Sequence, residues 1–150
     1  AGATVAFDTN LRPRLWESTD AMRAGVTLGA RAASIVLPSF DEDAPLFGDT
    51  SPEITRDRYA NLGAQIVAVK QGAGAVHLWD GKSSDKHTPP NVLNPVDTTA
   101  AGDSFAGAFL AGLAMNQTAT EAARRAIHLA SNVIQFRGAL VPAALSGVSR

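Results

Sequence analysis

Apolar residues fall into two patterns along this chain. Short, largely apolar runs, ATVAF at 3–7, ASIVL at 33–37 and QIVAV at 65–69, are ended by Asp8, Pro38 and Lys70. A strand covered on both faces needs no alternation, so these runs predict strands buried in a parallel sheet. AVHLWD, after a turn at Gly72 and Gly74, predicts a fourth strand, and Gly81 with Ser83 and Ser84 turns the chain again. Between the runs the pattern is helical. Ser18 caps a predicted helix through Met22 to about Leu28, and Ser51-Pro52 opens another through Tyr59 and Leu62 that ends near Gly63. FDEDAPLFGD predicts a helical turn, and Pro89, Pro90 and Pro95 keep the next stretch extended.

Two longer helices close the chain, the first from about Gly102 to Met115. The second opens on Thr118 and Glu121, a capping-box spacing in which each side chain serves the other's backbone. Ala119, Ala122, Ala123, Ala126, Ile127, Ala130, Val133 and Ile134 form its apolar stripe, with Glu121, Arg124, Arg125, His128 and Gln135 opposite. Strands alternating with helices predict an α/β fold, an open, mostly parallel sheet flanked by helices. Ligands of such sheets sit beyond the carboxyl ends of the strands.

Composition narrows the function. Of 150 residues, 45% are hydrophobic and 18% charged, and 13 Lys plus Arg nearly balance 14 Asp plus Glu. No global field then favours nucleic acid or a membrane surface. The absence of cysteine excludes disulfides, zinc–thiolate sites and thiol nucleophiles. No apolar run approaches the roughly 20 residues of a membrane span, and no secretory leader is visible, so a cytoplasmic enzyme is the expectation. The chain opens on an apolar run without an initiator Met, as a piece of a longer protein would.

The most chemical stretch is DTTAAGDSFAGAFLAG at 97–112. Ala100, Ala101 and Gly102 at a helix entrance gather backbone N–H groups with no bulky side chain in the way, and with the helix dipole they form an anion hole. An acid beside such a hole would repel a phosphate. It is useful if a neutral hydroxyl lies between them, because Asp103 then takes the proton while the N–H groups hold the charge on a transferred phosphoryl group. From these residues alone, a plain helix-capping role for Asp103 stands level with that reading.

DTTAAGDSFAGAFLAG resembles the C-terminal signature of the ribokinase-like (PfkB) sugar kinases, D-T-x-G/A-A-G-D-x-F followed by a small-residue helix. The resemblance implies that Asp103 is the catalytic base and touches substrate, and that Ala100, Ala101 and Gly102 form the anion hole. It implies that Asp97 and Thr99 lie beside a monovalent cation, K+ in some members. VKQGAGA resembles the K-x-G-x-x-G nucleotide loop, with Lys70 and Gly72 in register, Ala75 in place of the last Gly and Gly74 next to it. LPSFDE resembles the N-x-x-E element that organises Mg2+ through water, with Ser39 replacing Asn and Glu42 retained; as residues alone, Asp41 and Asp43 read equally as a solvated acidic face. DTNLRPRLW resembles the D-x-N-x-R stretch of the 2-keto-3-deoxygluconate kinases in this family. That match implies Asn10 near the nucleotide phosphates and Arg12 on the substrate carboxylate or the phosphates, which an Arg fork suits. Ile127 falls where several members carry an adenine-side Asn, which leaves adenine to apolar and backbone contacts around Ala130 and Gly138. His77 and His128 are expected to be structural or solvated.

The resemblance covers the whole chain as the C-terminal, nucleotide-binding and catalytic-base portion, half the family's usual length. The glycine-rich sugar-binding segment and the β-sheet lid belong to the other half, so an uncovered sheet edge and poor solubility or association are expected of this piece alone. The implied activity is ATP- and Mg2+-dependent phosphorylation of a sugar acid, 2-keto-3-deoxygluconate first, by a protein that is a homo-oligomer at full length. A fructokinase- or ribokinase-type activity and a non-catalytic nucleotide-binding fragment are the alternatives.

Overall fold

The computed structural model describes residues 2–92, 94–139 and 141. They form two compact units, Ala1–Lys86 and His87–Arg150. A sheet of order β1-β2-β3-β4-β5 joins β1 (Ala6–Phe7), β2 (Ile35–Val36), β3 (Ile66–Val69), β4 (Val76–Trp79) and β5 (Ser84–His87). The first three strands are parallel, with Phe7 opposite Val36 and Val36 opposite Val67. β4 runs antiparallel to β3, placing His77 opposite Val69. The sheet is therefore mixed, because the tight turn after Lys70 reverses the chain with no crossover helix.

Helices of the first unit start where side chains serve open N–H groups. In α1 (Thr19–Arg31), the Ser18 hydroxyl accepts from the Ala21 amide, and Met22, Val26 and Ala30 form one buried line at four-residue spacing. α3 (Pro52–Asn61) combines Ser51 as cap with Pro52 in the first turn, where a missing N–H is harmless. α2 (Phe40–Phe47) is a full helix where only a turn was expected. It holds Pro45 and stops at Gly48, whose φ of 78° is the left-handed conformation that a helix end favours. These helices cover a core that includes Val26, Val36, Leu46, Tyr59, Val67 and Val69.

Two strand expectations change. β1 is a two-residue ladder at the sheet edge with Ala3–Ala6 exposed, and not a buried strand over 3–7. An apolar run signals burial only if neighbours lie on both sides, and β1 pairs with β2 alone. β5 was missed, because SDKH carries no apolar signal and only His87 of the four is buried. The turn before it is tighter than expected, with the Asp80 carboxylate accepting from the Lys82 and Ser83 amides.

In the second unit α4 (Ala101–Ala114) packs against α5 (Ala119–Val133). The close approach depends on size. A Cβ on Gly112 would lie 2.8 Å from the Ala122 Cβ, so the small-residue run of α4 meets the Ala stripe of α5. Phe105 and Phe109, one turn apart, stack at 5.7 Å. The capping box forms as the spacing requires, the Thr118 hydroxyl accepting from the Glu121 amide and Glu121 accepting from the Thr118 amide at 2.8 Å. Replacing Thr118 with Ala is expected to lower stability by about 1 kcal/mol, read as a lower urea midpoint at unchanged m-value.

Candidate active site

The segment following β1 is held residue by residue. The Asp8 carboxylate pairs with Lys70 Nζ at 2.9 Å, the Thr9 hydroxyl donates to Asp43 Oδ2 at 2.8 Å, and the Leu11 amide donates to Glu42 Oε2 at 3.0 Å. Between and beyond these anchors stand Asn10 and Arg12, both exposed. Asn10 has φ 34°, a left-handed value that Asn tolerates better than most side chains. Arg12 donates from one guanidinium nitrogen to the Leu11 carbonyl at 2.8 Å. A cleft of about 380 Å3 adjoins the segment, lined by Phe7, Thr9, Asn10, Leu11, Arg12, Leu15, Trp16, Gly25 and Val26. Trp16 lies so close to α1 that a Cβ at Gly25 would fall 2.4 Å from its indole.

Asp43 is the residue that the sequence misplaced. Grouped with Asp41 as part of a solvated acidic face, it is instead fully buried. It accepts from Thr9 and from the Tyr59 hydroxyl, and it lies 3.5 Å from Arg58. Burial pushes its carboxyl above the usual range, and the hydrogen bonds from Tyr59 and Thr9 and the Arg58 charge oppose that rise. Arg58 pairs with Asp49 at 2.7 Å and lies over the Phe47 ring at 3.7 Å. The missed signal was helical spacing: Asp43 sits three residues from both Phe40 and Leu46, on the face that α2 turns to the core.

The residues of the expected nucleotide loop lie where β3 ends. Ser39 and Lys70 form a lone parallel bridge that prolongs the β2–β3 pairing. Gly72 has φ 49°, and the Gly74 amide closes a turn on the Gln71 carbonyl at 2.6 Å. A Cβ at Gly74 would lie 2.9 Å from that carbonyl, so the turn needs glycine there. Ala75 is buried at the entrance to β4. His77 is buried too, with Nδ1 3.1 Å from Glu53. His128 is exposed on α5.

In the second unit α4 begins without a side-chain cap at Ala100. The Ala101 amide donates to the Thr98 carbonyl at 3.1 Å, which removes it from the three-amide hole that the sequence suggested. The amides of Ala100, Gly102 and Asp103 have no hydrogen-bond partner among the described residues, as the first amides of an uncapped helix do not. Asp103 lies in the first turn, exposed, and its carboxylate bonds to none of the described residues. It does not cap the helix. Asp97 accepts from the Thr99 amide at 2.9 Å and the Gly138 amide at 3.0 Å. The bonds from Thr99 and then Gly138 hold its pKa down at about 2. Ala130 is half-buried on α5 and Ile127 is buried there.

The donors present bear on which metals fit. Among the described residues no group of three or more His, Cys, Asp or Glu is placed to hold a metal. One Glu42 oxygen is engaged by the Leu11 amide, and the other has no hydrogen-bond partner among the described residues. That suits a Mg2+ ion carrying mostly water and phosphate oxygens, and not one caged by protein. Among the described residues no helix is long and apolar enough to cross a membrane.

The family model of the pfkB family carbohydrate kinases matches residues 1–144. The chain belongs to this family. As a pfkB family member it is 34% identical over 144 residues to the 2-dehydro-3-deoxygluconokinase of Dickeya dadantii, covering 94% of this chain and 46% of that protein. The solved PfkB protein of Polaromonas sp. JS666 superposes with TM-score 0.84 at 32% identity, over 98% of this chain and 47% of the other. The aminoimidazole riboside kinase of Salmonella enterica, solved with aminoimidazole riboside and an ATP analogue, gives TM-score 0.82 at 30% identity over 93% of this chain and 48% of the other. The chain thus spans just under half the length of the pfkB proteins that it matches.

The depressed pKa of Asp97 has a measurable sign. Relative to an ordinary value of 3.8, its stabilising effect is fully present above about pH 4 and is lost as pH falls through about 2. The amide resonances of Thr99 and Gly138 are expected to shift together with a midpoint near 2. In Asp97→Asn that shared titration disappears.

Proposed function

We propose that the full-length protein is an ATP-dependent carbohydrate kinase that phosphorylates the primary hydroxyl of a sugar acid, 2-keto-3-deoxygluconate giving its 6-phospho product. The observation that carries this reading is the exposed carboxylate of Asp103, which bonds to none of the described residues, on a helix start with no side-chain cap. A carboxylate without donors keeps its capacity to accept a proton, and binding alone has no use for that. Support for the sugar-acid class comes from the name of the Dickeya relative and from Arg12 in the D-x-N-x-R stretch.

In this reading Asp103 takes the hydroxyl proton as the sugar oxygen attacks the terminal phosphorus and the bond from that phosphorus to the bridging oxygen breaks, releasing ADP, while the amides of Ala100 and Gly102 hold the charge on the transferring group. ATP supplies the phosphoryl group, with Mg2+ neutralising its phosphates. Glu42 orients the water around that ion through its open oxygen. Lys70, Gly72, Gly74 and Ala75 form the phosphate-side loop, and Asn10 reaches the nucleotide phosphates. Ala130 and Gly138 face the adenine, and Asp97 with Thr99 serve a K+ ion. Arg12 pairs with the substrate carboxylate by its planar fork. Positioning carries most of the rate, as in other phosphoryl transfers.

A neutral sugar is the second reading, favoured by the likeness to the aminoimidazole riboside kinase. Arg12→Ala separates the two in the full-length protein. A KM increase of about 10- to 100-fold confined to sugar acids supports the first, whereas equal losses on neutral sugars support the second. Asp103→Asn is expected to lower kcat by about 10²- to 10⁴-fold while ATP binding, followed by calorimetry, persists. A wild-type protein that binds ATP and turns over neither sugar class would be a nucleotide-binding module.

A further inference from the structure

The D-T-N-L-R segment divides into residues that are held and residues that are presented. Asp8, Thr9 and the Leu11 amide each meet a partner on another element, namely Lys70, Asp43 and Glu42. Among the described residues the side chains of Asn10 and Arg12 bond to no other element, Arg12 donating only to the adjacent Leu11 carbonyl, and both are exposed. Two of the anchors, Glu42 and Asp43, are consecutive in the first turn of α2, so one helix end grips two points of the segment. Behind them, Asp43 is fixed by the Tyr59 hydroxyl from α3 and faces Arg58, which Asp49 holds in turn. The anchor is thus rooted in the core, where Tyr59 and Asp43 are both fully buried. The bend is also demanding, since Asn10 adopts φ 34° and an unclamped chain would leave that region.

We propose that Thr9, through its hydrogen bond to Asp43, is a positioning residue that fixes the backbone from which Asn10 and Arg12 reach their ligands. Thr9 touches no substrate in this account and acts through Arg12. The proposal rests on the sugar-acid reading for its kinetic consequence, but not for its structural one. An Arg fork discriminates a planar anion only when its base is held, because a misplacement of about 1 Å removes the bidentate geometry and costs on the order of 100-fold. The buried carboxylate supplies this rigidity because Asp43 must keep its donors: loss of one leaves a desolvated charge short of a partner.

The test uses the full-length protein and Thr9→Val, which removes the hydroxyl at nearly constant volume, with Thr9→Ser as rescue. Amide hydrogen exchange at Leu11 is expected to quicken about tenfold in Thr9→Val, with α3 amides unchanged, and to return in Thr9→Ser. KM for the sugar acid is expected to rise about tenfold at nearly constant kcat. The double variant Thr9→Val/Arg12→Ala should be no worse than Arg12→Ala alone, the non-additivity of two residues acting as one. Additive losses, or Leu11 exchange unaltered by Thr9→Val, overturn the proposal. If Arg12→Ala leaves KM for sugar acids untouched, the substrate reading fails instead, and the Leu11 exchange decides the positioning claim on its own.

Discussion

A carboxylate with no access to water must be given donors, and much of the first unit is arranged by that requirement at Asp43. Its three partners come from two parts of the chain, Thr9 from the segment after β1 and Tyr59 and Arg58 from α3. Those bonds fix the end of β1 to α2 and α3 more specifically than apolar packing can, since apolar contact is indifferent to small slides. Arg58 extends the network to Asp49 and to the Phe47 ring, so its charge is met on one side by carboxylates and on another by an aromatic face.

Two acids of this chain show opposite uses of one functional group. Asp43 is buried and bonded, and its role is geometric. Asp103 is exposed at the start of α4 and, among the described residues, its carboxylate is unbonded and three amides stand open in place of a capping side chain. A Ser, Thr or Asn at position 100 would have satisfied one of the amides of Gly102 and Asp103 and strengthened the helix. Ala100 leaves them open, which lowers local stability and keeps the helix start available for an anion. The same contrast separates Asp97, whose two oxygens are taken by amides, from Asp103.

The order of elements, the caps at Ser18, Ser51 and Thr118 and the α5 stripe were legible in the sequence, because each rests on contacts a few residues apart. What was not legible needed distant neighbours. SDKH becomes a strand only by pairing after the turn that Asp80 makes. The run at 3–7 is edge and not interior because β1 pairs on one side. Asp43 looked solvated among acids, although its spacing from Phe40 and Leu46 already put it on the inner face. At α4 the motif indicated a cup of amides. It could not show that the Ala101 amide turns back to Thr98, since that depends on the bend of the chain before the helix.

The clamp on the 8–12 segment also bears on why its sequence alternates as it does. Lys70 lies at the end of β3 and is joined to Ser39 by a lone bridge, so it belongs both to the sheet and to the segment after β1 through Asp8. On the proposed reading of Lys70 as a phosphate-side residue, an ammonium already held by a carboxylate at 2.9 Å would be ordered before a nucleotide bound, which would reduce the side-chain entropy lost on binding a phosphate. The opposing term is that a phosphate must compete with Asp8 for the same charge. Lys70 is half-buried, and its pair with Asp8 is reachable by solvent. Such an ion pair contributes about 1 kcal/mol or less. The ordering is therefore retained at little loss of affinity, and an exposed lysine without Asp8 would gain charge and forfeit direction.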